Sequence, residues 1–274
     1  MSLEKSIFQK GSTTYYWSSA FFPRAAREDV YKLYSFVRVV DDLVDAVPQD
    51  IKTFQLVEQC WQERKTLNNG TIPDQVLGTM LALLERYKFP SEWVDAFMQS
   101  MRWDTTQRTY QSLDDSLQYV YGSAEVIGLM MAKILRLPDE AITGARYQGR
   151  AMQWINFCRD LQEDISLGRC YFPRADLESF GLPDLQAQTT MNHRQQFIDF
   201  MRLQLDRYIQ WQHEADKAYT YLPRRMRIPV QTASSMYNWT AEQIRIDPFV
   251  VYAVKVKPTK GRIIRTALAQ ELHG

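Results

Sequence analysis

Arg38-Val39-Val40-Asp41-Asp42-Leu43-Val44-Asp45 decides how the rest of this 274-residue chain is read. It follows Pro23 and an apolar series at helical spacing, Ala26, Val30, Leu33, Tyr34 and Val37. Residues four apart lie on one helix face, one turn above the other, so Asp41 and Asp45 point the same way. Like charges at that spacing cost a helix about 0.2–0.5 kcal/mol. A wet surface tolerates that cost, and a divalent cation between the carboxylates would remove it. Hard cations such as Mg²⁺ take oxygen ligands, keep several waters and are usually held by one or two carboxylates plus substrate phosphates.

The pattern recurs in Arg159-Asp160-Leu161-Gln162-Glu163-Asp164, where Asp160 and Asp164 again stand four apart. The preceding run from Gly149 to Phe157 is helix-compatible and free of proline. Either pair alone reads equally well as a solvated acidic face. Two pairs, each with an adjacent arginine (Arg38, Arg159), point to two helices bracketing a metal–diphosphate cluster.

Composition narrows the setting. At 274 residues with 45% hydrophobic content, the chain can bury a sizeable core in one large domain or two small ones. A net charge of +1 gives no global field for nucleic acid. The cysteines (Cys60, Cys158, Cys170) lack disulfide-framework or metal-ligand spacing, so a reduced, cytoplasmic setting is expected. Met1-Ser2-Leu3-Glu4-Lys5 has no signal-peptide core. No apolar run nears the ~20 residues needed to span a bilayer.

Periodicity predicts helices throughout. The first motif helix runs from Pro23 to Ala46 and is ended by Pro48. A second covers 50–68, stopped by Asn68-Asn69-Gly70. Others follow Pro73 and Pro90, and residues 112–137 read as the longest amphipathic run. Within it Gly122, Ser123, Ala124 and Gly128 would let a helix or a ligand chain approach closely. Pro138 opens the second motif helix, expected to continue to about 165 and close at Gly168. Residues 190–222 and 229–246 are helical, 249–252 is β-prone, and a basic helix closes the chain. No linker, low-complexity tract or repeat interrupts it, so the prediction is a single all-α bundle over 1–274.

Other chemistries lack support. His193, His213 and His273 neighbour no Ser- or Cys-centred motif, no His/Cys pair has zinc spacing, and there is no Gly-rich phosphate loop. Carboxylate pairs, arginines, hydroxyls and aromatics remain. Their physical logic is ionisation of a diphosphate: Mg²⁺ and Arg neutralise the leaving group, and aromatic faces stabilise the carbocation by about 2 kcal/mol or more when dry.

In order, the chain carries Ser12-x-Thr14-Tyr15, Tyr34-x-x-x-Arg38-x-x-Asp41-Asp42-x-x-Asp45, Tyr119-x-Tyr121-Gly122-x-Ala124, Gln153-x-x-Asn156-x-x-Arg159-Asp160-x-x-Glu163-Asp164 and Tyr171-Phe172-Pro173. This series resembles the squalene/phytoene synthase family over nearly the whole length. The resemblance implies the isoprenoid-synthase helical bundle with a central cavity between the two Asp helices. It implies head-to-head condensation of two prenyl diphosphates through a cyclopropylcarbinyl diphosphate, with Mg²⁺ (or Mn²⁺) as cofactor. Asp41, Asp45, Asp160, Asp164 and Asn156 match metal ligands. Ser12, Thr14, Arg38 and Arg159 match diphosphate contacts, and Tyr34, Gln153 and Tyr237 match substrate-facing positions. Each has a plainer alternative: Ser12 and Thr14 could cap a helix, Gln153 and Asn156 could be core polar groups, and Tyr237 could be ordinary packing. Lys255, Lys257, Lys260, Arg262 and Arg265 form a basic tail that could be solvated, touch diphosphate or meet the inner face of a membrane. Glu125 departs from the small residue expected there.

Room on the cavity wall at Ser18, Ser19 and Ala20 favours two C20 geranylgeranyl diphosphates giving phytoene, with no need for NADPH. The C30 route from farnesyl diphosphate, to dehydrosqualene or squalene, is the alternative. A non-catalytic scaffold would be expected to lose the carboxylate pairs. A terpene cyclase would share the metal logic but not the second Asp pair with Gln153 and Asn156.

Overall fold

The computed structural model describes residues 2–11, 19 and 22–273. Helix α1 (Leu3–Gly11) lies on α2 (Arg24–Asp45), with Phe8 buried against the rings of Tyr31 and Tyr34 at 5.1 and 4.2 Å. Val30, Leu33, Phe36, Val40 and Val44 form the buried stripe of α2, which leaves Asp41 and Asp45 on a different face. The helix ends where Ala46 turns extended (ψ 148°), and Pro48 disfavours helical backbone in the residue before it.

Helix α3 (Ile51–Gln62) is capped by the Asp50 carboxylate, which accepts from the Thr53 N–H at 3.2 Å. It stops six residues short of the predicted end at 68. The Asp74 carboxylate instead accepts the N–H groups of Asn68, Asn69 and Gly70 at 3.0, 3.0 and 2.8 Å, folding that segment into a turn. Helices α4 (Ile72–Tyr87) and α5 (Ser91–Thr106) follow.

The predicted run over 112–137 is two helices, α6 (Leu113–Val120) and α7 (Val126–Ile134), joined by a π-turn at 121–125. Packing against α5 explains the break. The Ser100 hydroxyl donates to the Tyr119 carbonyl at 3.0 Å, and a Cβ on Gly122 would sit 2.2 Å from the Ala96 carbonyl oxygen. Gly122 serves helix contact here, whereas Ser123, Ala124 and Gly128 line a cavity.

The second motif helix is also broken. It comprises α8 (Ile142–Arg159) and α9 (Leu161–Ser166), with Asp160 at the joint (φ −97°, ψ 12°). Arg159 holds Asp160 in a two-pronged ion pair at 2.8 and 2.6 Å. Consecutive side chains on an unbroken helix diverge by about 100°, so that pairing needs the local distortion.

Helices α10 (Arg174–Ser179) and α11 (Ala187–Asn192) lead into α12 (Arg194–Asp216) and a 3₁₀ turn at 217–221. Next comes α13 (Arg224–Ile246), which starts earlier than predicted and takes Pro229 inside its first two turns. The β-prone 249–252 is instead a turn at Phe249 leading into α14 (Val250–Ala253). Phe249 and Tyr252 both pack on Phe197, at 4.9 and 5.5 Å, a one-sided contact suited to a helical turn. Helix α15 (Lys260–His273) lies along α13, where Thr232 donates to Gln270 at 2.9 Å. Among the described residues there is no strand, only a bridge between Tyr110 and Pro173.

Two apolar cores result. One gathers α2, α3, α4, α5 and α7 around Phe36, Phe54, Trp61 and Phe97. The other gathers α6, α8, α12 and part of α13 around Trp154, Phe197, Phe200 and Tyr208, with Trp154 edge-on to Trp211 at 5.1 Å. A cavity of about 320 Å³ lies where they meet, lined by α2, α7, α8 and α13.

Candidate active site

The cavity has two chemically opposite parts. Its interior is hydrocarbon: Leu33, Val37, Ile127, Met131, Met152 and Val230 are among the lining side chains. Beside it opens a polar basin of about 920 Å³, which holds Asp41, Asp45, Asp160 and Asp164 together with Arg38, Arg159, Lys255 and Lys257. Tyr34, Gln153, Asn156 and Tyr237 line both parts and mark the boundary between them. The two acidic motifs, 115 or more residues apart in the chain, thus face one space. Ser12 and Thr14, with Ser18 and Ala20, lie outside the described residues. Ser19 is described and lines the hydrocarbon part.

The carboxylates are not equivalent. Burial pushes Asp41 well above its usual range, helped by Asp45 and only partly opposed by Arg38. Burial does the same to Asp164, with Asp160 and Asp45 as like-charged neighbours. Burial also works against the charge of Asp160, but hydrogen bonds and charge from Arg159 and Lys255 prevail and hold it low. Lys255 reaches Asp160 at 3.0 Å and also pairs with Glu163. Arg38 bonds Asp41 at 3.3 Å and pairs with Asp42. Lys257 is pushed below the usual lysine range by burial and by its neighbours Lys255 and Arg159.

Arg169 is a functional candidate that sequence reading missed. Only 4% of its side chain is exposed. It pairs with Asp45, donates to the Val44 carbonyl at 2.7 Å and to the Asp104 carbonyl at 3.1 Å, and so pins the ends of α2 and α5 together. Asp104 was missed as well. It accepts from the hydroxyls of Tyr119 and Tyr171, both at 2.7 Å, and burial pushes it up to about 6 against the pull of Arg169. Both tyrosines belong to quoted motifs, which was the available signal. Asp104 and Arg169 lie outside any spacing pattern.

The donor set suits a hard cation. Asp41, Asp45, Asp160 and Asp164 offer only oxygen, and the buried Asn156 Oδ1 has no hydrogen-bond partner. Unbalanced carboxylate charge at Asp41 and Asp164 is what a cation would relieve. Among the described residues no group of three or more His, Cys, Asp or Glu is gathered closely enough to hold a metal by itself. Glu125 leaves the cavity untouched: it is fully buried on the far side of the π-turn, bonded to Arg146 at 2.8 Å and Arg150 at 2.6 Å.

Comparison with known proteins places the chain in a family. The family model "Squalene/phytoene synthase" matches residues 8–262. A phytoene synthase of Cereibacter sphaeroides is 30% identical over 190 residues, which are 65% of this chain and 53% of that protein, so the match spans about half its length. A 15-cis-phytoene synthase of Enterobacter agglomerans is 28% identical over 237 residues, 83% of this chain and 80% of that one. A crystal structure of a dehydrosqualene synthase in complex with ligand superposes with a TM-score of 0.80 at 23% identity, covering 98% of this chain and 94% of that one. A squalene synthase from Alicyclobacillus acidocaldarius gives 0.72 at 23%, covering 90% and 93%. With the family model matched over residues 8–262 and the helical architecture shared, the chain belongs to the squalene/phytoene synthase family.

Proposed function

We propose that this chain is a prenyltransferase that joins two prenyl diphosphates head to head through a cyclopropylcarbinyl diphosphate, and that it turns two geranylgeranyl diphosphates into phytoene. One observation carries the reading: an acidic basin adjoins an apolar cavity, and Tyr34, Gln153, Asn156 and Tyr237 line both. A diphosphate head and a hydrocarbon tail are each matched by the part of the site they would meet.

Asp41 and Asp45 from one side, and Asp160, Asp164 and Asn156 from the other, would hold Mg²⁺. When bound, the ion neutralises charge on the departing diphosphate. Arg38, Arg159, Lys255 and Lys257 take the remaining phosphate oxygens, and Ser12 and Thr14 join them by resemblance. Tyr34 keeps its proton, since burial pushes its hydroxyl up, and offers a neutral donor and a ring face at the boundary. The apolar wall binds the tail and excludes water from the allylic cation. Loss of a proton ends the sequence without nicotinamide. The whole chain acts as one domain. Among the described residues no helix is long and apolar enough to cross a membrane. The same reading puts the protein in the cytoplasm, touching the inner membrane face through the basic tail from Lys255 to Arg265.

Purified protein given farnesyl or geranylgeranyl diphosphate with Mg²⁺ and no NADPH, followed by mass spectrometry of the hydrocarbon, tests this. A C40 product from the C20 substrate is expected. Turnover of the C15 substrate alone would replace it with the C30 reading.

A further inference from the structure

Halfway down the hydrocarbon wall stands a cluster of polar side chains that the condensation chemistry does not use. Gln148 lies on α8 eight residues before Asn156, about 12 Å deeper at helical rise. Its Oε1 accepts from the Tyr219 hydroxyl at 2.7 Å and from the Ser234 hydroxyl at 3.1 Å. Its amide also exchanges bonds with Gln212 at 3.1 and 3.4 Å. Tyr219 and Ser234 hydroxyls are 2.6 Å apart, and Gln212 donates onward to Asp216 at 2.8 Å. Gln148 and Tyr219 both line the cavity. The cluster ties α8, α12, the 3₁₀ turn and α13 to one another.

Such a wall is stiff. To bend it, an incoming chain would have to break several hydrogen bonds at once, and a polar group left unpaired in an apolar cavity is costly. Met131 also lines the cavity, and methionine adapts readily to shape. One turn before Gln148 on the same helix, α8 and the 3₁₀ turn are already in close contact: a Cβ on Gly144 would meet the Ala218 Cβ at 2.1 Å.

We propose that the Gln148–Tyr219–Ser234 network is a length gauge, a fixed stop on one wall that sets how long a prenyl tail the cavity accepts. This rests on the prenyl diphosphate reading of the same site. The test is therefore a binding series that does not need turnover: calorimetric titration of prenyl thiolodiphosphates of 10, 15, 20 and 25 carbons with Mg²⁺ present. In the unaltered protein, affinity should climb with each prenyl unit and then level off. In Tyr219→Ala the levelling point should move one unit longer, with the next ligand gaining at least about tenfold, equivalent to about 1.4 kcal/mol. Tyr219→Leu gives the same comparison if the alanine variant does not melt cooperatively. In Tyr219→Phe combined with Gln148→Leu, which keeps the bulk and removes the bonds, the levelling should broaden without moving by a full unit. A levelling point unmoved in a cooperatively folded Tyr219→Ala or Tyr219→Leu would overturn the gauge, as would affinity that ignores tail length. Tail-dependent binding without any condensation would instead count against the catalytic reading and leave the gauge supported.

Discussion

The two aspartate pairs look alike in sequence and are built differently. Asp41 and Asp45 ride an unbroken helix, whereas Asp160 sits at a joint between two helices and Asp164 on the short one beyond it. Yet each pair ends with the same division. One carboxylate is clamped by an arginine, fully or half buried (Asp45 by Arg169, Asp160 by Arg159), and the other is pushed upward by burial (Asp41, Asp164). The clamp of the second pair is the adjacent residue. That of the first is 124 positions away. Local spacing therefore places the acids, and a partner from anywhere in the fold can hold them.

The largest effect should come from removing one acid of each pair. Asp41→Ala together with Asp160→Ala should lower diphosphate release by at least about 10³-fold, the scale of losing an electrostatic stabiliser of a developing anion. Release that survives in the double variant would detach both pairs from the chemistry. Next are the clamps. Arg169→Ala leaves Asp45, and the deeply buried Asp104, without their cation, so unfolding by denaturant should show a loss of about 3–5 kcal/mol. Arg159→Ala should cost less than half of that, because Lys255 remains on Asp160 at 3.0 Å. Equal losses would show that the two clamps are not different in kind.

The smallest effect separates members within a pair. Asp41 has a raised value in the folded state, so the metal-free fold keeps a proton that the unfolded chain releases. Its contribution to stability falls as pH rises from about 4 toward neutrality. Asp41→Asn should therefore raise the neutral-pH melting temperature in EDTA, even as turnover is lost. Asp160 is held low, so its contribution is present above the unfolded value and lost as pH falls through the folded one. Asp160→Asn should lower the melting temperature at neutral pH and have little effect in acid. Melting curves of both variants from pH 3 to 8 in EDTA check the opposite signs.

Much of the fold was legible because helical periodicity is local. Val30, Leu33, Val40 and Val44 announce the buried stripe of α2 without reference to any other segment. Proline, Asp and Thr at element starts mark boundaries for the same reason. The breaks were not legible. The π-turn at 121–125 depends on Ser100 and on the closeness of Ala96, and the joint at Asp160 depends on how Arg159 folds back. The 249–252 segment has strand propensity, but the aromatic surface at Phe197 decides its conformation.

By itself the sequence determined an all-helical chain with two acid faces, because side-chain spacing along a helix follows from backbone geometry alone. Only the tertiary structure decided that those faces share a basin, that Arg169 and Asp104 also line it, and that Ser234 bonds the cavity-lining Gln148 and Tyr219. Those juxtapositions depend on how helices far apart in the chain pack. No local pattern encodes which distant partner a buried charge or amide will find.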